Sequence, residues 1–245
     1  MISVRKLHKT LGTQEVLKGV DLEIQRGDTC VILGRSGCGK SVLLKHLIGL
    51  FKPTSGEVFV DGDEITGLAE RKLGPIRKKV GILFQSAALF DSMNVEDNLA
   101  FPLREHGIKD VKEIRDRVAE ALEMVDLAGE QKKMPENLSG GMRKRVGLAR
   151  TIVSRPACIL YDEPTTGLDP IASDSINHLI RRLQKRLSVT SVVVTHDMKT
   201  AFHTADQVTY LYDGRLYFDG TADQLRNSTD PTIRDFILGR SGDSD

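Results

Sequence analysis

The eight residues from Gly34 to Ser41, GRSGCGKS, restrict the fold more than any other stretch of the chain. Three glycines in six positions are poor material for a packed core. Yet they sit between an apolar run, DTCVIL at 28–33, and a second apolar stretch, SVLLKHLIGLF at 41–51. A buried strand that ends in glycines and re-emerges as a helix can surround a triphosphate with backbone N–H donors. Side chains would obstruct that approach, and Gly34, Gly37 and Gly39 remove the obstruction while tolerating positive φ. A helix starting near Lys40 directs its positive end at the phosphates. Lys40 adds a mobile charge for the β- and γ-phosphates, and the Ser41 hydroxyl is a ligand for Mg²⁺. Arg35, Ser36 and Cys38 complete the loop and count with it as nucleotide-binding positions.

The bulk numbers exclude several rivals. The chain of 245 residues suits one large domain, or one domain with an insertion. Thirty-five basic side chains against thirty-four acidic ones leave +1, so phosphate neutralisation along a nucleic acid is not its main business, and no nucleic-acid partner is expected. Cys30, Cys38 and Cys158 are scattered in neither a zinc spacing nor a disulfide framework. They read as small buried or loop residues in a reducing compartment. The N-terminal MISVRKLHKTLG lacks the apolar centre of a signal peptide, and runs such as TCVILG and VVVT are too short to cross a bilayer. A soluble, cytoplasmic chain is expected, with a small polar end that frays and a disordered tail at 241–245.

Along the chain, short alternating strands are expected at 3–6 and 20–24 around an LGTQ turn. SGEVFVDGDEI, 55–65, reads as a hairpin closed at Asp61-Gly62. Asp61 and Asp63 resemble half a calcium loop, but the glycine and glutamate positions of such a loop are absent, so turn chemistry accounts for them. The basic run RKLGPIRKK, 71–79, reads as a solvated helix-and-turn face rather than a lipid-headgroup site. Between Gln85 and Arg155 the spacing becomes helical, with Ile114, Val118, Leu122 and Val125 on one face. The strand–helix texture resumes at ACILYDE (157–163), SDSINHLIRRLQKRL (173–187) and TSVVVTHD (190–197). A strand pair at 207–220 and a short amphipathic helix finish the chain.

The expected fold is therefore α/β: a P-loop NTPase core with a mainly parallel sheet, an N-terminal antiparallel β subdomain and an inserted α-helical subdomain. The core is expected over about 1–85 and 156–220, the helical subdomain over about 86–155, and a C-terminal helix over about 221–240.

Other motifs carry chemistry. CILYDEP, 158–164, is an apolar strand ending in two carboxylates, which gives it a reason to bear a desolvation cost. Asp162 is placed to hold Mg²⁺, directly or through water. Glu163 points to the other side of the strand and can polarise a water for in-line attack on the γ-phosphorus. His196 follows SVVVT on the same sheet edge as the glycine loop, within reach of a γ-phosphate. A strand-end histidine by itself is structural more often than not. Gln85 ends another apolar strand, GILFQS, and offers a neutral amide to Mg²⁺ or to the attacking water. In NLSGGMRKRVGLAR, 137–150, Ser139, Gly140 and Gly141 precede a basic amphipathic helix and form a second anion nest. One ATP does not require two nests in one chain, whereas a head-to-tail dimer does.

Taken in order, GRSGCGKS, FQS, LSGGM, ILYDEP, GLD and THD identify the chain as similar to the nucleotide-binding subunits of ABC transporters, in sequence and spacing, to about residue 220. The resemblance implies ATP and Mg²⁺ as cofactors, with Gly34–Ser41 on the phosphates and metal. It makes Glu163 the catalytic base and His196 the residue that senses the γ-phosphate. Ser139 and Gly141 would act across a dimer of two copies, and Asp169 in GLD would carry contact between the two sites. Two departures stand out. Leu11 occupies the position where the family stacks adenine on an aromatic ring, and Met142 stands where the signature usually has glutamine.

FQSAALFDSMNVEDNLAFPLRE, 84–105, together with LSGGMRKRVGLAR, resembles the MlaF-type branch, which energises transport of phospholipid or other hydrophobic molecules with MCE proteins. That resemblance implies a membrane permease docking near residues 85–103, where Leu89, Phe90, Met93, Val95 and Phe101 offer apolar surface, the alternative for each being the core of the helical subdomain itself. It also implies an MCE-domain protein in the complex and a peripheral place on the cytoplasmic face of the inner membrane. The alternatives are the ATPase of another ABC importer or exporter, a soluble ABC ATPase of DNA repair or translation, and a module that closes on ATP without turnover. The single cassette without a heptad insertion disfavours the soluble ATPase, and Glu163 with His196 disfavours the inert module.

Overall fold

The chain opens with a long antiparallel pair, β1 (Ile2–Leu11) and β2 (Gln14–Ile24), longer than the strands expected at 3–6 and 20–24. The pairing runs on to Leu11↔Gln14 through register shifts. Lys6 takes φ +45° in β1, so the buried positions step from Val4 to Leu7. A bulge of this kind breaks the period-2 pattern without ending the strand. β3 (Thr29–Leu33) follows, then α1 (Lys40–His46), β4 (Ser55–Val60) and β5 (Asp63–Glu64). β2, β1, β4 and β5 form one antiparallel sheet in that order. Its last hairpin closes at Asp61 (φ +55°) and Gly62 (φ +84°), the two positive-φ residues of a type I′ turn.

α1 is shorter than the apolar stretch 41–51 implies. Gly49 takes φ +65°, and the N–H groups of Leu50 and Phe51 both return to the Lys45 carbonyl, so the chain reverses after His46. A seven-residue helix is not stable by itself. Leu43, Leu44 and Leu47 are fully buried. At about 2 kcal/mol each they outweigh the roughly 1 kcal/mol that each loop glycine costs in entropy.

A second group of elements follows: α2 (Gly74–Lys79), β6 (Val80–Leu83), α3 (Val95–Glu105), α4 (Val111–Met124), α5 (Gly140–Ile152), β7 (Cys158–Asp162) and α6 (Pro170–Leu187). The chain then continues through β8 (Thr190–Thr195), α7 (Met198–Thr204), β9 (Gln207–Tyr212), β10 (Arg215–Gly220), α8 (Ala222–Arg226) and α9 (Pro231–Ile237). The single C-terminal helix expected at 221–240 is two short ones. Asp230 caps α9 and precedes Pro231, whose ring disfavours helical φ/ψ in the residue before it.

This computed structural model describes residues 1–240, so the tail expected at 241–245 lies outside the described residues. The chain forms two compact units, Met1–Leu73 with the residues from Thr190 on, and Gly74–Val189. In the first, β9, β3 and β8 run parallel, with β10 antiparallel on β9. All five residues of β3 and all six of β8 are buried, as continuous apolar runs in a parallel sheet should be. In the second, β6 and β7 are parallel.

In the second unit α3, α4, α5 and α6 start on side-chain caps from Asn94, Asp110, Ser139 and Asp169. Ile114, Val118, Leu122 and Val125 are buried together, as their spacing predicts. Asp126, at φ +58° just after α4, joins three helices. Its Oδ2 accepts from Arg145 on α5 and Arg182 on α6, each at 2.7 Å. Arg145 also reaches the Val125 carbonyl, and Arg182 the Met124 carbonyl. Burial opposes the charge on Asp126, but the two guanidinium hydrogen bonds outweigh it and hold the carboxyl below the usual carboxylate range.

A lowered native pKa means that the unfolded chain binds the extra proton, so stability from Asp126 is present above the ordinary carboxylate range and is lost as pH falls through the native value. Asp126→Asn should lower stability at neutral pH by about 1 kcal/mol, a figure kept small because water screens this largely exposed group. Thermal melts against pH should show the gap from wild type closing in acid.

Candidate functional site

In the first unit, β3 ends at Leu33, paired with Thr195 of β8. Gly34 and His196 are thus the next residues beyond one sheet edge, which is where the sequence placed them. Gly34 is buried, and a Cβ there would lie 2.5 Å from Cys38 Sγ and 2.6 Å from the Leu211 carbonyl oxygen. Gly37 (φ +81°) and Gly39 (φ +106°) use the left-handed region, and Gly39 also lies against Val16 and Leu17 of β2. Lys40 is 6% exposed, and its Nζ donates to the carbonyls of Gly34 at 2.8 Å and Arg35 at 3.1 Å. The ammonium therefore bridges the loop it belongs to.

Arg35 and Ser36 are exposed, and Arg35 donates to the Arg240 carbonyl at 3.2 Å. Cys38 is half-buried in the loop, whereas Cys30 and Cys158 are buried as small apolar residues. Burial pushes the Cys30 thiol up to about 12, against a weaker opposing hydrogen bond from Thr209, so it is inert at neutral pH. Leu11 is exposed at the tip of the β1–β2 hairpin. His196 is exposed, and Asp197 beside it caps α7 through the N–H groups of Lys199 and Thr200.

In the second unit, the pairing Leu83↔Tyr161 brings the ends of β6 and β7 together, with Gln85 just past one and Asp162–Glu163 at the other. Asp162 and Glu163 are each 9% exposed, and Gln85 is exposed. Glu163 takes φ +48°, a conformation that costs a non-glycine residue about 1–2 kcal/mol. Strain of this kind persists only where surrounding contacts hold it. The Thr166 hydroxyl donates to Glu163 Oε2 at 3.2 Å, and the Thr166 N–H to the Glu163 carbonyl at 3.3 Å.

Ser139 caps α5 by accepting from the Met142 N–H at 3.2 Å, a bond that does not use its own O–H donor. A Cβ at Gly140 or Gly141 would meet only ordinary contacts, at 3.4 and 3.8 Å. Packing within the chain therefore does not demand glycine at these two positions. Asp169 has one oxygen on the cap of α6, accepting from the N–H groups of Ile171 and Ala172.

Of the apolar residues expected to face a partner, Phe90 and Phe101 are exposed and meet edge to face at 5.0 Å. Leu89 and Met93 are half-buried. Val95 is fully buried: it opens α3 on the core side, and its N–H bonds to the Lys133 carbonyl. The buried Asn98 amide holds the loop before α3 through Phe90, Met93 and Asn94.

Two residues near the strand ends escaped the sequence reading: Thr166, and Lys144 on α5. Lys144 is 5% exposed, and its Nζ donates to the carbonyl of Gln85 in a short hydrogen bond and to that of Glu163 at 3.3 Å. Burial pulls the lysine pKa down, with Glu163 and Asp162 working against it. A signal was present: Lys144, Gly147, Leu148 and Thr151 lie at i, i+3, i+4 and i+7 on the buried face of α5, where a charge is out of place.

Residues 17–166 match the ABC transporter family. Over 239 residues the chain is 44% identical to the probable ribonucleotide transport ATP-binding protein mkl of Mycobacterium leprae, spanning 98% of this chain and 69% of that one. Over 241 residues it is 40% identical to the intermembrane phospholipid transport system ATP-binding protein MlaF of Haemophilus influenzae, spanning 98% and 91%. The dimeric ATP-binding cassette MJ0796, solved with ADP and Pi in a post-hydrolysis state, superposes with a TM-score of 0.83 at 33% identity, over 91% of this chain and 99% of that one. The chain belongs to the ABC transporter family. It is the ATP-binding, ATP-hydrolysing subunit of such a transporter, with the fold of an ABC ATPase. Among the described residues no helix is long and apolar enough to cross a membrane.

Gly34→Ala should weaken ATP binding at least tenfold, because the added methyl must displace the Leu211 peptide or the loop. Titration with a fluorescent ATP analogue checks this, and unchanged affinity would contradict the close-approach argument.

Proposed function

We propose that two copies of this chain close head to tail around two ATP molecules, and that this closure drives a membrane permease moving phospholipid or another hydrophobic molecule together with an MCE-domain protein. The observation that carries the reading is the presence in one chain of two anion-binding backbones, the Gly34–Ser41 loop and the Ser139-capped start of α5. Glycine at 140 and 141, which internal packing does not require, supports a role for that second backbone toward a nucleotide held by the other copy.

In this reading the loop and Lys40 hold the phosphates, and Leu11 lies against the base. Glu163 takes a proton from the attacking water, and His196 contacts the γ-phosphate. Ser139, Gly140 and Gly141 cap the partner's nucleotide, while Asp169 carries contact between sites. The Ser41 hydroxyl, the Gln85 amide oxygen and the Asp162 carboxylate are hard oxygen donors, which suits them as candidate ligands for Mg²⁺. When bound, Mg²⁺ neutralises charge on the β- and γ-phosphate oxygens.

The exposed Phe90–Phe101 pair supports permease docking near residues 85–103. Such docking would place the chain peripherally, on the cytoplasmic face of the membrane. The lipid assignment draws on the FDS and AFPLRE segments with Met142 and on the phospholipid-transport name of the Haemophilus relative; the mycobacterial relative is named for ribonucleotides. Mass spectrometry of the purified membrane complex separates the two, since phospholipid should co-purify in stoichiometric amount and ribonucleotide beyond the bound ATP should not.

Glu163→Gln should keep ATP affinity, lower hydrolysis by about a hundredfold or more and trap an ATP-dependent dimer on size exclusion. Wild-type turnover in that variant would remove Glu163 as the base. Leu11→Tyr should tighten ATP about fivefold by adding a stacking face, and an unchanged affinity would remove Leu11 from the base contact.

A further inference from the structure

We propose that Lys144 is a positioning residue for hydrolysis, its ammonium fixing from α5 the two strand-end peptides that carry Gln85 and Glu163. This deepens the reading above and rests on Glu163 being the base.

Three observations converge on Lys144. It is charged yet nearly inaccessible, on the apolar face of its helix. Its Nζ donates to two backbone carbonyls, those of Gln85, just past β6, and of Glu163, at the end of β7, with the Glu163 and Asp162 carboxylates near enough to favour its charge. The second of these belongs to the residue at φ +48°. A buried ammonium is expensive, and apolar replacement of buried charges is often neutral or stabilising. Packing alone would be served by Met or Leu at this position. What an apolar residue cannot do is donate to two peptides at once.

The division of labour around Glu163 follows. Lys144 and the Thr166 N–H hold its peptide, and the Thr166 hydroxyl holds its carboxylate at 3.2 Å. A strained backbone relaxes when its contacts are removed, and a general base displaced by a fraction of an ångström loses much of its effect. Lys144 also lies five residues beyond Ser139, the residue that opens the same helix. The helix that would cap a nucleotide on one copy thus grips the base of its own copy.

The test compares Lys144→Met, an unbranched side chain one atom shorter that donates nothing, with Lys144→Gln, of the same reach as Met, whose amide N–H can still serve one carbonyl. For the full chain at saturating Mg-ATP, kcat should fall at least tenfold in Lys144→Met and by an intermediate factor in Lys144→Gln. KM and the affinity for a fluorescent ATP analogue should stay within twofold of wild type. A Lys144→Met kcat within twofold of wild type overturns the proposal, as does a loss that appears in KM instead of kcat. Should thermal melts show Lys144→Met unfolded, Lys144→Gln decides, and wild-type kcat there overturns it equally. Glu163→Gln measured in parallel keeps the two claims apart: slow Glu163→Gln beside fast Lys144→Met defeats the role of Lys144 alone, whereas fast Glu163→Gln defeats the base assignment beneath it.

Discussion

The approach of backbone to backbone at Gly34 is the constraint on which the proposed nucleotide site depends. With the Leu211 carbonyl where a Cβ would have to go, the chain leaving β3 can turn only as glycine. That turn allows the loop to fold over Lys40 and present N–H groups instead of side chains. Its rigidity comes from beneath. β3 is buried between β8 and β9, and α1 is held down by three buried leucines despite its short length.

The second unit solves a different problem, which is to hold two buried carboxylates and an exposed helix start in fixed places. It does so with side chains that bond to peptides. Ser139 and Asp169 cap their helices, Arg145 and Arg182 converge on Asp126, and Lys144 spans two strand ends. The positive φ of Glu163 shows why such anchoring is needed: an unsupported residue in that conformation would relax toward the ordinary β region.

Much of this was legible in the sequence because it depends on local pattern. The glycine loop, the Asp61-Gly62 hairpin, the heptad-like face of α4 and the apolar runs of β3, β7 and β8 all carry their own signatures. What escaped depends on tertiary contact. The bulge at Lys6 hid the true length of β1, and Gly49 ended α1 inside an unbroken apolar stretch. Val95 read equally as surface or core because an apolar residue at a helix start looks the same whichever it faces. Lys144 passed as one more cation in a basic helix, since its burial is set by the strand ends packed on it. A charge at a core position of the helical repeat was the available clue.

The head-to-tail nucleotide sandwich is tested most directly by a cross-link. Cys38 lies in the phosphate loop, while Cys30 and Cys158 are buried and silent. Introducing Ser139→Cys into the hydrolysis-deficient background puts the only other reactive thiol at the start of α5. Mild oxidation with Mg-ATP should give a disulfide-linked dimer through Cys38 of one copy and position 139 of the other, and much less product without nucleotide. A chain that stays monomeric under saturating Mg-ATP, or that cross-links equally with and without it, would contradict the account.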